Sequence, residues 1–153
     1  MAWLRTEVLG RRQPDANIRA LLAHAASVWG IPGEGANVLL FERKDKLSIT
    51  GKMHLIAALK NMGQLDLANQ LFDELNVEAI VAQPQPSTVD GWIETNTLAV
   101  AMLLEHMIDL RPSDERMLMV LEAVRSARTN GWWGTTLDTV AATRPLIKWM
   151  GPQ

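Results

Sequence analysis

Three histidines have side chains that could take part in acid–base or metal chemistry: His24, His54 and His106. His24 and His54 lie in stretches rich in Ala and Leu, which is typical of the interior of a helical protein. His106 is followed three residues later by Asp109, so a helix would bring the two side chains onto one face. A zinc site needs further ligands of this kind, and the sequence places none nearby. We therefore predict structural or surface histidines, with no metal and no cofactor.

Two carboxylates stand on either side of Trp92, namely Asp90 and Glu94. A pair of carboxylates can act as general acid and general base. Acidic residues are also common at the start of a helix, where the helix dipole favours negative charge. We favour this second role, because a helix is predicted to begin at about residue 94.

Tryptophans could line an aromatic cavity, since Trp132 and Trp133 are adjacent and Trp92 precedes a predicted helix. Enzymes of the terpene-cyclase type build such cavities, but they also need an Asp-rich acid or metal-binding motif, which this sequence lacks. We predict instead that the indoles pack a helical hairpin, with their N–H groups satisfied by loop carbonyls. The stretch GEG at residues 33–35 lacks the Lys and Ser or Thr of a phosphate-binding loop.

The composition is that of an ordinary globular domain, and we predict one helical domain over residues 1–153. Of the 153 residues, 48% are apolar and 21% charged, and 15 basic residues oppose 17 acidic ones without a long run of either sign. With this balance the sequence shows no cluster of positive charge of the kind that binds nucleic acid or an anionic membrane surface. No segment reaches the ~20 apolar residues of a membrane span. The absence of Cys excludes disulfides, zinc thiolate sites and a Cys nucleophile.

The spacing of apolar residues predicts an all-α protein. Only residues 79–81 look β-like, and Pro84 and Pro86 follow at once. Helix boundaries are marked by Pro14-Asp15, Gly30, Ser48, Gly63, Pro112-Ser113, Asn130-Gly131 and a capping box of Thr135 with Asp138. The predicted helices cover residues 15–29, 36–43, 51–62, 65–75, 94–109, 113–129 and 135–150, with Pro145 expected to kink or shorten the last.

Helices of two kinds alternate along the chain. Residues 51–62 and 94–109 are apolar around most of the helix, which indicates an inner position with neighbours on several sides. Residues 65–75 and 117–124 are apolar on one face only, which indicates an outer position. Trp92 and Trp133 each precede an inner helix, and their spacing of roughly 40 residues is typical of helical-hairpin repeats. The pattern is compatible with concentric helical rings and with a stacked solenoid.

Three stretches, taken in order, resemble the thioester-domain toroid of bacterial alpha-macroglobulin and complement-like proteins. The first is a hairpin that begins with RKDKLS at residues 43–48 and ends at Leu75. The second is WIETNTLA at residues 92–99, and the third and most specific is NGWWGTTLDTVAA at residues 130–142. The resemblance covers residues 43–150, and more loosely 16–42.

This resemblance implies that the chain forms the later half of an α/α toroid of the terpenoid-cyclase/prenyltransferase-like kind, built from antiparallel helical hairpins. It assigns a structural role to eight signature residues. These are Trp92, Thr95, Gly131, Trp133, Gly134, Thr136, Asp138 and Thr139. It assigns no catalytic residue.

The departures from the family pattern concern its chemistry. The family forms a thioester between Cys and Gln in a Cys-x-Glu-Gln motif, and this chain has neither a Cys nor that motif. In complement relatives a His upstream of the second stretch assists transfer from the thioester, whereas residues 79–90 here contain no His. Arg144 and Pro145 also replace the small and apolar residues usual in the last helix.

We therefore expect a non-catalytic helical scaffold module of an alpha-macroglobulin-like protein, of the protease-inhibitor or defence type and without a thioester. Its expected partner is protein, either the rest of a parent chain or a protease, in a periplasmic, secreted or cell-surface location. The alternative is a free-standing helical-repeat interaction domain, and the least favoured is an α/α-toroid enzyme. Half a ring would leave inner helices 48–62 and 94–109 with exposed apolar surface, so we expect either self-association or residues 16–30 folded over the gap.

Overall fold

The computed structural model of the protein describes residues 15–82, 88–89, 92–93 and 95–151. It confirms the all-α prediction, with eight α-helices among the described residues. The chain divides into two compact units, Met1–Leu75 and Asn76–Gln153. The first unit contains α1 (Ala16–Val28), α2 (Glu34–Phe41), a 3-10 turn (Lys44–Lys46), α3 (Ile49–Asn61) and α4 (Leu65–Asp73). The second contains α5 (Val77–Ala82), β1 (Thr88–Val89), β2 (Trp92–Ile93), α6 (Asn96–Leu110), α7 (Met117–Ser126) and α8 (Thr136–Met150).

Local capping explains where the helices of the first unit begin and end. The Asp15 side chain accepts a hydrogen bond from the backbone N–H of Asn17, and the Ser48 hydroxyl accepts one from Gly51 N–H. Gly30 and Gly63 follow α1 and α3 with φ of +65° and +75°, a conformation that glycine adopts without strain. The predicted starts at Asp15 and Ser48 and the predicted stops at Gly30 and Gly63 are therefore confirmed.

Helix α3 is the centre of the first unit. It packs against α1, α2 and α4, and its side chains from Leu55 to Leu59 are almost completely buried. Helix α4 buries Leu71 and Phe72 on one face and leaves Leu65 exposed. Helix α3 therefore has the environment predicted for an inner helix, and α4 that of an outer one.

Helices α1 and α3 lie side by side and run parallel. Near their first turns, the Asn17 Oδ1 accepts hydrogen bonds from the backbone N–H of Ser48 at 2.8 Å and from its hydroxyl at 3.1 Å. Near their last turns, Asn61 Nδ2 donates to Ser27 Oγ at 3.0 Å. Contacts between matching ends of two helices require that they point the same way.

Helix α6 has the same central position in the second unit. It packs against α5, α7 and α8, and Ala101, Leu103, Leu104 and Met107 are completely buried. Helix α8 runs parallel to α6, because Arg144 lies 3.0 Å from Glu105 and Lys148 pairs with Asp109 one turn further along both helices. Each unit thus contains two parallel neighbouring helices.

The predicted helices leave out α5 and misplace the start of α7. Residues 79–81, which look β-like in the sequence, are helical, because the Asn76 side chain accepts from Ala79 N–H at 2.9 Å, and Val77 and Ile80 are buried in α5. Pro112-Ser113 does not cap a helix, since α7 begins only at Met117. The Asp114 carboxylate holds the preceding turn by accepting from the backbone N–H and guanidinium of Arg116.

Pro145 does not end the last helix. Its ring is buried, and α8 continues to Met150. The pairing of Lys148 with Asp109 holds the segment that follows Pro145 against α6. Burial of the Pro145 ring and this contact between helices together offset the backbone hydrogen bond that a proline cannot make.

Candidate functional site

Several of the predicted signature residues meet where α6 and α8 begin. Thr95 is the N-cap of α6, and its hydroxyl oxygen accepts from Leu98 N–H at 3.0 Å. Thr135 is the N-cap of α8, and its hydroxyl oxygen accepts from Asp138 N–H at 3.1 Å. The Asp138 carboxylate in turn accepts from Thr135 N–H at 3.1 Å, which completes the predicted capping box.

The Asp138 carboxylate also joins the two helices. Its Oδ2 accepts from the Thr135 hydroxyl at 2.8 Å, and its Oδ1 accepts from the Thr95 hydroxyl. Only 3% of Asp138 is exposed, so water contributes little to the solvation of its carboxylate. Hydroxyl and amide donors and the positive ends of two helix dipoles stabilise the carboxylate instead. Because both oxygens already accept hydrogen bonds, we assign Asp138 a structural role and call Thr95, Thr135 and Asp138 the N-cap cluster.

The loop before α8 carries the glycine and tryptophan signature residues. Gly131 and Gly134 have φ of +89° and +53°. A Cβ atom on Gly134 would lie 3.1 Å from Asp138 Oδ2, so this glycine also permits a close approach to the N-cap cluster. Trp133 is buried and donates from Nε1 to the Val124 carbonyl at 2.7 Å, which fixes the loop to the last turn of α7. The partner of the indole is therefore a helix carbonyl, not the loop carbonyl predicted.

The other signature and candidate residues are not part of this cluster. Thr139 only adjoins it, because its hydroxyl donates to the Thr135 carbonyl at 3.0 Å, and Thr136 is exposed in the first turn of α8. Trp132 is exposed, so it does not share the packing role predicted for the pair. Trp92 lies in β2 opposite Val89, and its side chain is outside the described residues, as are Asp90 and Glu94.

The structure brings two of the histidines together. His24 of α1 and His54 of α3 place their Nδ1 atoms 3.0 Å apart. Burial, and after it the nearby His24, lowers the pKa of His54 to about 4. The sequence did not predict this pair, because the residues are 30 positions apart and become neighbours only when α1 packs beside α3.

The third histidine lies in the second unit. His106 is buried in α6, and Asp109 of the same helix pairs with Lys148 of α8. Within the described ranges, no group of three or more His, Cys, Asp or Glu residues is arranged to hold a metal ion.

An apolar surface is exposed along α8. Leu137, Val140, Ile147 and Met150 are 50%, 60%, 61% and 73% exposed. At 100° per residue they lie on the side of α8 opposite its buried residues Asp138, Ala142 and Pro145. Arg144 interrupts this row between Val140 and Ile147, and Lys148 lies at its edge; the two side chains are 66% and 43% exposed. We call the four apolar residues with these two basic ones the α8 face.

Of the two outcomes expected for the inner helices, the structure shows the second for α3, because α1 (Ala16–Val28) packs along it; the exposed apolar surface of α8 was not predicted. Helices α3 and α6, which match the predicted inner helices 48–62 and 94–109, are well buried. Helix α1 covers one side of α3, and α7 and α8 cover α6. The spacing of apolar residues could not reveal the α8 face, because Leu137, Val140, Ile147 and Met150 are spaced as they would be on a helix that faces the core.

Two further findings concern membrane-spanning helices and similarity to known proteins. Among the described residues no helix is long and apolar enough to cross a membrane. No protein-family model, no curated protein and no solved structure matches this chain.

Proposed function

We propose that this chain is a non-catalytic helical scaffold that binds protein through the α8 face. The observation that carries the proposal is the row of four exposed apolar side chains on the outer side of α8. Apolar side chains that follow helical spacing normally contact a second helix. Their exposure leaves the outer side of α8 available to a second helix.

The charges of α8 define the chemistry of the partner. The exposed positions of this helix carry Arg144 and Lys148, and its one acidic residue, Asp138, is buried. Arg144 and Lys148 are paired with Glu105 and Asp109 of α6, but both remain partly exposed, so N–H groups that these pairs do not use are available to a carboxylate of a partner. Complementary charge favours encounter and fixes the register of two surfaces. The occupant that we propose is therefore an amphipathic helix with an apolar seam and carboxylates on its flanks.

We further propose that the scaffold is a module of an alpha-macroglobulin/complement-like protein, part of an α/α toroid without the thioester. Two observations support this proposal: parallel neighbouring helices within each unit, and an N-cap cluster built from Thr95 and Asp138 of the resembling stretches. The occupant of the α8 face would then belong to the rest of a parent chain or to a protease, in the periplasm, outside the cell or at its surface. The same parallel helices also fit a free-standing helical repeat, which is the second candidate.

A binding assay with a designed helix tests the central part of this proposal. The probe is a fluorescently labelled peptide with leucine at heptad positions a and d and glutamate at e and g, and the readout is fluorescence anisotropy. The unmodified chain is expected to bind it, and Ile147→Lys to weaken binding by about tenfold or more, since a tenfold loss needs only about 1.4 kcal/mol. A matched peptide with lysine in place of glutamate is expected to bind more weakly.

The control is the same substitution on a neighbouring helix of the same unit. Leu118 is 68% exposed on α7, so Leu118→Lys introduces the same charge at a site outside the α8 face. It is expected to leave peptide binding unchanged. Equal losses in the two variants, or equal binding of the glutamate and lysine peptides, would refute the proposed role of the α8 face.

A further inference from the structure

The loop before α8 contains an Asn-Gly pair that the proposed function does not use. Thr129 and Trp132 exchange two backbone hydrogen bonds, of 2.8 and 3.0 Å, so Asn130 and Gly131 form a two-residue turn between them. Their φ angles of +52° and +89° are those of a type I′ turn. The turn is not part of the α8 face.

The groups of this pair that could react are accessible and make no hydrogen bond. Asn130 and Gly131 are both exposed. Within residues 95–151, no hydrogen bond engages the Gly131 N–H or the side-chain amide of Asn130. The other asparagines of the chain lie in a helix or directly before one, and each is followed by a residue with a side chain.

An Asn-Gly pair of this kind can undergo an internal reaction. When the Gly131 N–H loses its proton, the nitrogen can attack the side-chain carbonyl carbon of Asn130. A bond forms between these two atoms, and the side-chain nitrogen leaves as ammonia. Water then opens the five-membered succinimide ring at either carbonyl, so that asparagine and one water give one acid and one ammonia. Glycine obstructs the attack least, because it has no Cβ atom.

The turn must open before the ring can close. In the succinimide, the Asn130 Cβ and the Gly131 nitrogen are nearly eclipsed about the bond from Cα to the carbonyl carbon, whereas in a type I′ turn they are not. The bridge between Thr129 and Trp132 is isolated, so opening breaks these two hydrogen bonds and no longer ladder. The fold therefore slows the reaction without preventing it.

A cation stands beside the nitrogen that would react. A Cβ atom on Gly131 would lie 3.8 Å from a guanidinium nitrogen of Arg128. The guanidinium also lies over the Trp133 ring, 5.3 Å from its centre, and this cation–π contact keeps it at the turn. A positive charge here stabilises the negative charge that develops as Gly131 attacks Asn130.

We propose that Asn130 is a site of spontaneous modification, converted through a succinimide with Gly131 into aspartate and isoaspartate, and that Arg128 accelerates the conversion. The aspartate product fits the turn, because Asp-Gly suits a type I′ turn as Asn-Gly does. The isoaspartate product places an additional carbon atom in the main chain and disturbs the turn that leads to Trp133.

Peptide mapping by mass spectrometry after incubation of the folded protein tests this proposal. The conversion of amide to acid changes the mass, and electron-transfer fragmentation distinguishes isoaspartate from aspartate. Both products are expected at position 130, and faster at pH 9 than at pH 7, because the reaction begins with loss of a proton. Asn17, Asn37 and Asn61, whose side chains are hydrogen-bonded, are expected to remain amides over the same period.

A pair of substitutions isolates the contribution of the cation. Arg128→Gln is expected to slow the conversion by about fivefold, since this factor corresponds to the attraction between two charges about 4 Å apart in water. Arg125→Gln is the matched control, because this exposed arginine pairs with Glu122 within α7. The control should convert at the rate of the unmodified chain.

The proposal is overturned if position 130 remains an amide, or if the other asparagines convert as fast. Aspartate without isoaspartate would show direct hydrolysis and would exclude the succinimide. Equal rates in Arg128→Gln and Arg125→Gln would refute the role of Arg128. Because the readout is a chemical change outside the α8 face, each of these results leaves the proposed function untouched.

Discussion

Asp138 is the residue on which the start of the second unit's parallel helix pair depends. Its carboxylate accepts from the hydroxyls of Thr95 and Thr135 and from the backbone N–H of Thr135. A substitution here removes a helix cap and the connection between α6 and α8 at the same time. Asp138 therefore resembles an active-site carboxylate in burial but has the hydrogen bonds of a structural one.

Replacing this carboxylate should destabilise the protein strongly. We expect Asp138→Ala to lower the free energy of unfolding by about 2–4 kcal/mol, because a cap and hydrogen bonds to a charged group are lost together. Urea denaturation followed by circular dichroism measures the change. Asp45→Ala, at an exposed aspartate, is the control and should change stability by less than about 0.5 kcal/mol. A loss for Asp138→Ala as small as that of the control would contradict the structural role.

The histidine pair should make stability depend on pH. Burial and the neighbouring His24 lower the pKa of His54 from 6.5 to about 4, so the unfolded chain binds a proton there more readily than the folded one. Stability is therefore complete above pH 6.5 and falls as the pH drops towards 4, by about 3 kcal/mol for a shift of this size. Urea denaturation at pH 7, 5.5 and 4 measures it, and His54→Leu should flatten the profile. A profile for His54→Leu as steep as that of the unmodified chain would show that another group is responsible.

Sequence reasoning recognised a contact between residues that are close in the chain and missed contacts between residues that are far apart in it. Thr135 and Asp138 are three positions apart, so a capping box could be recognised from spacing alone. Thr95 is 43 positions from Asp138, and His24 is 30 positions from His54. Such contacts depend on which helices become neighbours, which periodicity does not specify.

At the scale of helices, one glycine allows α1 and α3 to approach. A Cβ atom on Gly51 would lie 2.2 Å from the Asn17 Oδ1, the atom that holds the first turn of α3. Replacing a helical glycine by alanine normally stabilises a helix by about 0.5–1 kcal/mol. Here the added methyl group must displace Asn17 from its hydrogen bonds to Ser48.

We expect Gly51→Ala to destabilise the protein by about 1–3 kcal/mol through this clash. In an Asn17→Ala background the same substitution should become neutral or stabilising, because the clashing atom is gone. Gly35→Ala in α2 is the control: a Cβ there meets no atom within 4 Å, so the variant should be as stable as the parent or more stable. Thermal unfolding of the four variants measures these effects, and a destabilisation by Gly51→Ala that persists without Asn17 would contradict the account.

The prediction of helices succeeded where caps and periodicity agreed and failed where side chains made local turns. The starts of α1, α3 and α8 each use a residue that caps its own helix. The start of α7 was placed too early, because Asp114 binds Arg116 and holds a turn instead of capping a helix. The hydrogen bond from the Arg116 guanidinium also lowers the pKa of Asp114 to about 2.

At the scale of the whole molecule, the α8 face should cause weak self-association that depends on salt. A symmetric pair of α8 helices would bury apolar residues but would bring Arg144 and Lys148 of two copies close together. Screening reduces such repulsion, so association should increase between low and high ionic strength. Sedimentation equilibrium at 50 mM and 500 mM salt tests this expectation, with Ile147→Lys as a non-associating variant and Leu118→Lys as the control. Association that weakens with salt would point to a contact made by ion pairs elsewhere.

The measurement that tests the central claim most directly is the location of a bound acidic helix on the chain. The ¹⁵N-labelled protein is titrated with the glutamate-flanked leucine peptide, and the shifts of the backbone amides are mapped onto the sequence. We predict that the largest changes fall within α8, at and around Val140 and Ile147, and that the α7 amides around Leu118 change little. Shifts that cluster outside α8, or no shifts at saturating peptide, would contradict the account of this chain as a scaffold that binds protein through its α8 face.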